Sequence, residues 1–248
     1  EDISETAGVL GSKPWSTGVV MADVNADGLL DIYVSNAGNL EGNNHDNDLY
    51  INNGDLTFTE RAEEFNLAKT GFTTHATFFD YDKDGYQDLY VANDKFYVAN
   101  VLYHNNGDGT FENVSEISGT DIFIEGMSTT IGDYNKDGWL DIYITNTYPP
   151  EDDGIDGSAL LKNNGDGTFT NVATETGANF YSTGWGTVFI DADNDTDEDI
   201  FVSGSEDGTN YPSSAFYENN GNDTFSELFD AGFENDNRRS YGNAIGDI

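Results

Sequence analysis

Four short acidic segments carry the residues with the clearest chemical potential. Each is nine residues long, with Asp or Asn at positions 1, 3 and 5, Asp at position 9, and Gly at position 6 in all but the last. Oxygen ligands at this spacing surround one point if position 6 lets the chain turn sharply, and calcium accepts about six to eight such ligands in a tolerant geometry. Magnesium demands a tighter octahedron and keeps its waters. The spacing therefore predicts about four structural calcium ions.

The predicted ligands are the side chains at positions 1, 3, 5 and 9 together with position 7. In chain order they are Asp23, Asn25, Asp27, Leu29 and Asp31, then Asp80, Asp82, Asp84, Tyr86 and Asp88, then Asp133, Asn135, Asp137, Trp139 and Asp141, and last Asp191, Asp193, Asp195, Asp197 and Asp199. Leu29, Tyr86 and Trp139 are expected to contribute backbone oxygens. The alternative is that these Asp-Gly turns only solubilise β connections, which would pack many like charges together without a cation.

The fourth segment departs from the pattern. Thr196 replaces the glycine, and a β-branched residue resists the left-handed conformation by roughly 1 to 2 kcal/mol. We therefore expect a distorted or weaker fourth site.

Composition excludes several classes of function. The chain has 248 residues, with 9 basic against 47 acidic side chains and a net charge of −38, which repels nucleic acid phosphates and anionic membrane surfaces. No apolar run is long enough to span a bilayer, so we expect no membrane insertion. Cysteine is absent, which removes disulfides and thiolate chemistry.

The acidic segments are one marker of an internal repeat. Their first residues, with Asp247 as the start of a fifth copy, are separated by 57, 53, 58 and 56 residues. A second marker, Asn-Asn-Gly followed by Thr-Phe, keeps the same period from Asn52, Asn105, Asn163 and Asn219. Two markers in phase indicate a repeat architecture.

The segments between markers alternate polar and apolar residues and are rich in β-branched and aromatic side chains, which predicts strands. Asn-Gly and Asp-Gly supply the positive φ of a hairpin turn. Each repeat is therefore predicted as four strands, and the fold class as an all-β propeller of four-stranded blades. We place the blades at 16–72, 73–125, 126–183 and 184–240, with 1–15 and 241–248 in neighbouring incomplete blades. Gly18, His75, Ser128 and Gly186 are equivalent by register near the axis.

These residues resemble the FG-GAP or VCBS repeats of the seven-bladed propeller in integrin α chains and in secreted bacterial proteins. The bacterial repeats found beside ASPIC-type domains are most similar, as in Gly184-Trp-Gly-Thr187 followed by Asp191 to Asp199. The resemblance implies a seven-bladed type of propeller, of which this chain supplies about four to five blades. It also implies calcium loops on one face and an extracellular, cell-surface or periplasmic location.

The opposite face is the expected ligand face. The connections between second and third strands differ among the repeats, and variable loops on a uniform scaffold often carry recognition. Their candidate contact residues are His45, Phe96, Tyr97, Tyr148 and Tyr211. Each could equally pack over a blade edge.

We therefore predict a calcium-stabilised binding or adhesion module for an extracellular protein or glycan, with further blades or domains of the same protein as additional partners. One alternative is a polysaccharide lyase or hydrolase on this scaffold. Catalysis needs convergent acid, base and cation groups, and the chain has only three His and three Arg. Another alternative is a structural, surface-assembly repeat. We assign no catalytic residue.

Overall fold

The computed structural model of this chain describes residues 1–11, 13–38, 45–69, 71–95, 97–147, 155–205, 213–229, 231 and 240–243. Within these ranges the protein is all-β, with four sheets of four antiparallel strands and three single-turn helices.

Sheet 1 contains β1 (Ser16–Ala22), β2 (Asp31–Asn36), β3 (Asp48–Asn52) and β4 (Phe58–Glu60). Sheet 2 contains β5 (Thr73–Phe79), β6 (Asp88–Asn93), β7 (Val101–Asn105) and β8 (Phe111–Asn113). Sheet 3 contains β9 (Gly126–Gly132), β10 (Asp141–Asn146), β11 (Ala159–Asn163) and β12 (Phe169–Asn171). Sheet 4 contains β13 (Thr183–Ile190), β14 (Asp199–Ser205), β15 (Ser214–Asn219) and β16 (Phe225–Glu227).

Each sheet is a simple meander in which strands pair in chain order. The acidic segment connects the first two strands, and the Asn-Asn-Gly turn connects the last two. The turn glycines Gly54, Gly107, Gly165 and Gly221 all have positive φ, between 67° and 80°. The predicted four-stranded repeat unit is therefore confirmed.

A register irregularity occurs near the start of every inner strand. In β1 it lies between Ser16 and Gly18, and corresponding shifts occur in β5, β9 and β13. An extra residue at this point bends the strand and re-aims its side chain.

The hydrophobic core lies between sheets. One buried cluster joins sheets 1 and 2, a second joins sheets 2 and 3, and a third joins sheets 3 and 4. Tyr33, Tyr90 and Tyr143 occupy one register position and are fully buried, and each hydroxyl donates to a backbone oxygen 30 to 35 residues further along the chain. Successive sheets therefore pack face to face, as blades do.

The helices α1 (Ser4–Ala7), α2 (Ser115–Ser118) and α3 (Ala173–Thr176) are four residues each, and each ends at a left-handed glycine. In the part of the chain that the structure describes, no helix has the length and apolarity to cross a membrane.

Candidate metal centres

The four acidic segments, here called loops 1 to 4 (residues 23–31, 80–88, 133–141 and 191–199), share one hydrogen-bonded geometry. In loop 2, Asp80 Oδ1 accepts from Asp84 N, Asp80 Oδ2 accepts from Gly85 N, and Asp84 Oδ1 accepts from Tyr86 N. The same three bonds recur in every loop at 2.8 to 3.1 Å. The backbone amides therefore orient the carboxylates at positions 1 and 5.

The loops turn through two left-handed residues. Position 6 has φ of 88°, 92°, 87° and 78° in loops 1 to 4. The positive φ predicted for this position is therefore found in all four copies. Position 4 also has positive φ, at Ala26, Lys83, Lys136 and Asn194, although none of these is glycine. The pattern of glycines predicted the left-handed residue at position 6 and gave no signal for the one at position 4.

The acid at position 9 is the most buried group of each loop. Asp31, Asp88 and Asp141 have no solvent exposure, and Asp199 is 2% exposed. One oxygen of each accepts from the backbone amide of position 2, and the other accepts from the first Asn of the hairpin. These four residues therefore fasten each loop to the third strand of its own sheet.

Burial without a cation disfavours ionisation of the ninth residue. Desolvation raises the pKa of Asp31, Asp88 and Asp199 above the ordinary range, and raises the pKa of Asp141 to about 7. A cation beside these groups would favour the charged form.

The remaining acids converge at the loop centres. Asp80, Asp82 and Asp84 have ligand oxygens within 4.8 Å of one another, and so do Asp191, Asp193 and Asp195. Loops 1 and 3 carry Asn at position 3 instead, and the Asn25 amide donates to Asp27 Oδ2 at 3.0 Å. Clustered carboxylate and amide oxygens are hard ligands that fit calcium. The chemistry of the donor set is therefore compatible with the predicted metal.

Position 7 has a packing role as well. The Tyr86 ring lies against Gly107 and the Trp139 ring against Gly165, so closely that a Cβ on either glycine would meet the ring at 2.6 Å. Leu29 and Asp197 lie beside Gly54 and Gly221 less closely, at 3.4 and 3.0 Å from where a Cβ would be. The side chain at position 7 therefore covers the hairpin turn of its own sheet.

Loop 4 keeps the hydrogen bonds of the other loops despite Thr196, so the expected distortion is absent from its hydrogen bonding. A neighbouring loop supports this segment, because Lys136 Nζ donates to Thr196 Oγ1 at 2.8 Å and pairs with Asp197 Oδ1 at 2.6 Å. The hydrogen bond to Asp197 raises the pKa of Lys136. The weaker metal affinity expected for loop 4 stays a prediction.

In sheets 2, 3 and 4 the first Asn of the hairpin links neighbouring sheets through the loops. Asn105 Nδ2 donates to Gln87 O in its own sheet and to Val24 O, position 2 of the preceding loop. Asn163 makes the equivalent bond to Tyr81 O, and Asn219 to Tyr134 O, at 2.9 and 2.7 Å. The second sequence marker therefore ties each of these three sheets to the loop of the sheet before it.

A family comparison agrees with this architecture. Residues 36–91 and 80–144 match the model of the FG-GAP-like repeat. Residues 36–144 therefore carry FG-GAP-like repeats. No curated protein matches the sequence.

On the face of the FG-GAP-like repeats opposite the loops, two predicted ligand-face residues lie around Phe72. The ring of His45 lies 4.1 Å from Phe72, and the ring of Tyr97 lies 6.3 Å from it in an edge-on arrangement. The other three candidates, Phe96, Tyr148 and Tyr211, lie outside the described residues.

A cavity of about 450 Å³ opens beside this cluster. Its walls include Trp15, Phe72, Trp185 and Tyr241, and its charged groups are Asp94 and Lys95, which form an ion pair at 3.0 Å. The aromatic walls with few polar groups are typical of a small-molecule site.

The cavity collects one register position from five successive repeats. These residues are Thr17, Thr74, Met127, Trp185 and Tyr241, each six positions before the first Asp of its copy. Sequence reasoning missed this set. The constant spacing was readable, but these residues differ in type, and spacing alone does not show that packing brings them to one cavity.

Proposed function

We propose that this chain is a calcium-stabilised extracellular module that binds a protein or glycan ligand. The observation that carries the proposal is the recurrence of one preorganised oxygen cluster in four successive sheets. In loop 2, Asp80, Asp82 and Asp84 hold their oxygens within 4.8 Å of one another, and at short range each like-charged pair costs a few kcal/mol at an effective dielectric near 20. A divalent cation turns that repulsion into attraction.

The proposed role of calcium is structural. The inner strand separates the first Asp of each loop from the cavity by six residues, which at about 3.3 Å per residue is roughly 20 Å. A ligand in the cavity is then too far from the loops to touch the metal. Calcium would stabilise the sheets that shape the cavity and take no part in chemistry.

A propeller closed by further blades is part of the proposal. Val19 in β1 is 68% exposed, whereas Ala76, its equivalent in β5, is buried between sheets 1 and 2. Met21 is likewise 51% exposed, whereas its equivalent Phe78 packs against that core. The free face of sheet 1 therefore has the apolar character of a blade contact, which favours a neighbouring blade of the seven-bladed type.

The cavity is the proposed recognition site. Aromatic walls offer flat apolar surfaces to one face of a sugar ring or to an apolar side chain, and the paired Asp94 and Lys95 supply the polar contacts. The cavity lies where five repeats meet, and each repeat contributes a wall residue. Changes of these wall residues would therefore alter which ligand binds while the strands stay the same.

Binding to a glycan array and to a panel of extracellular protein fragments tests the proposal, with millimolar calcium and with excess chelator. We expect a ligand whose affinity falls at least tenfold in Trp185→Ala and falls in chelator. The matched control is Phe229→Ala, which removes an aromatic that is 72% exposed and outside the cavity. Ligand binding that is equal in Trp185→Ala and wild type would contradict the assigned site, and release of reducing sugar would favour the enzyme alternative.

A further inference from the structure

The four metal loops differ at one neighbouring position. The residue immediately before the first hairpin Asn is Ile51 in β3, His104 in β7, Lys162 in β11 and Glu218 in β15. In two sheets its side chain is shown reaching the loop of its own sheet. Lys162 Nζ lies 3.9 Å from Asp137 Oδ2, and His104 lies closer still to two acids of loop 2. This position therefore supplies a different extra group to loop 2 and to loop 3.

His104 places a nitrogen donor among the carboxylates of loop 2. Its Nδ1 lies 3.2 Å from Asp88 Oδ1 and 3.4 Å from Asp82 Oδ2, and the three ligand atoms form a cluster within 4.8 Å. The Nδ1 atom is buried and makes no hydrogen bond of acceptable geometry with any described residue. Asp88 has no side-chain exposure. This ring nitrogen is buried, makes no hydrogen bond and faces two carboxylates. It therefore has the position expected of a metal ligand.

The imidazole and Asp88 each have a supporting neighbour. Tyr81, position 2 of the same loop, packs edge-on against the ring at 6.0 Å between centroids. Asp88 is in turn held by the backbone amides of Tyr81 and Asn105. Two of the three donors are therefore preorganised by partners of their own, as supporting groups do around metal ligands.

We propose that loop 2 is a mixed nitrogen and oxygen site for a first-row transition metal of the zinc and cobalt class, bound by His104 Nδ1, Asp82 and Asp88. Imidazole suits these ions, whereas calcium takes oxygen ligands almost entirely. The inference concerns the same loops as the proposed function and makes one of them different in metal preference. Loops 1, 3 and 4 have Ile51, Lys162 and Glu218 at this position and keep all-oxygen donor sets.

The competing explanation is that His104 acts only as a positive counter-charge. Lys162 illustrates that role, because an ammonium group has no lone pair to give and can only offset the charge of Asp137. A neutral imidazole has one free nitrogen lone pair and can bind a metal. The two roles predict opposite results when zinc or cobalt is added.

The test uses the full chain, stripped with chelator and returned to millimolar calcium so that oxygen-only sites are filled. Zinc is titrated by calorimetry, and cobalt by its visible absorption, which reports nitrogen coordination. We expect one equivalent of either ion to bind in wild type, and binding to weaken at least tenfold in His104→Ile, which installs the residue of sheet 1. The matched control Lys162→Ile should bind as wild type does. His104→Gln is a second variant, and a calcium-loaded melt checks that each variant is folded.

The outcomes separate this inference from the proposed function. Calcium binding with equal zinc affinity in wild type and His104→Ile would overturn the inference and leave the proposed function standing. Zinc binding that depends on His104 in a chain that binds no calcium would support the inference and refute the proposed function. Absence of any zinc or cobalt binding in folded wild type would overturn it directly.

Discussion

Asn105 and Val24 are 81 residues apart in sequence, yet the side-chain amide of Asn105 donates to the backbone oxygen of Val24 at 3.0 Å. The backbone amide of Val24 donates to Asp31, and the backbone amide of Asn105 donates to Asp88. Asp88, Asp141 and Asp199 therefore each hold both their own loop and the hairpin that reaches the preceding loop. The result is a hydrogen-bonded chain that passes from sheet to sheet through loops 1 to 4.

Asn105→Ala should destabilise the protein by about 2 to 4 kcal/mol. The substitution removes three side-chain hydrogen bonds, one of them accepted from the Gly107 amide, and leaves the backbone oxygens of Val24 and Gln87 without that partner. Urea unfolding followed by tryptophan fluorescence measures the loss. Asn106→Ala is the matched control, because its exposed side chain bonds only within the turn, to Thr110, and it should cost about 1 kcal/mol or less. Equal losses in the two variants would show that the link between sheets is not stabilising.

Thr196→Gly should stabilise the protein by about 1 kcal/mol. Thr196 has φ of 78°, a conformation that costs a β-branched residue roughly 1 to 2 kcal/mol and costs glycine little. Loss of the exposed contact from Lys136 offsets part of the gain. The reverse substitution, Gly138→Thr in loop 3, should destabilise by a similar amount. A melting temperature that falls in Thr196→Gly would show that the threonine contacts outweigh the backbone strain.

His75 should make the folded state sensitive to mild acid. Burial lowers the pKa of His75 from 6.5, and its Nδ1 lies 2.9 Å from the Thr129 hydroxyl of the next sheet. The folded state therefore takes up this proton less readily than the unfolded chain, and the free energy of unfolding should fall as pH drops below about 6.5. Calcium-loaded melts of wild type and His75→Gln between pH 7.5 and 5 isolate the contribution. Identical pH profiles would contradict this role for His75.

Local turn chemistry made the loops predictable from sequence. Glycine at position 6 and the Asn-Gly hairpins have recognisable residue types, so the connections between strands, the strands themselves and the acidic clusters follow from spacing. The left-handed conformation of Ala26 and Lys83 has no such signal, because these residues rarely adopt it and do so here under the hydrogen bonds of the loop.

Features that depend on the stacking of sheets were not predictable. The sequence places Asp88 in a ligand pattern but does not show that it is fully buried or that it holds Asn105. The contact between Lys136 and Asp197, the approach of His104 to loop 2 and the shared cavity all join residues whose distance is set by packing. A repeat period locates equivalent residues without giving the distance between neighbouring copies.

Chelation should lower the melting temperature substantially. At a hundredfold excess over its Kd, calcium raises the free energy of unfolding by about 2.7 kcal/mol per site. In a chain of this size that corresponds to about 5 to 10 °C in melting temperature. Asp27→Ala and Asp137→Ala each remove the position-5 ligand of an all-oxygen loop, and each should lose about one site's share of the stabilisation by calcium. In excess chelator the variants should melt close to wild type. A melt that is unmoved by chelator would leave the stabilising role of calcium without support.

The number of calcium ions bound to the metal-free chain tests the central claim most directly. Isothermal titration of the chelator-stripped protein, at neutral pH and without transition metals, counts the sites without reference to any ligand. The geometry of the four loops predicts three or four ions per chain, with loop 2 as the variable site because of His104. Two or fewer ions bound to folded protein would contradict the account.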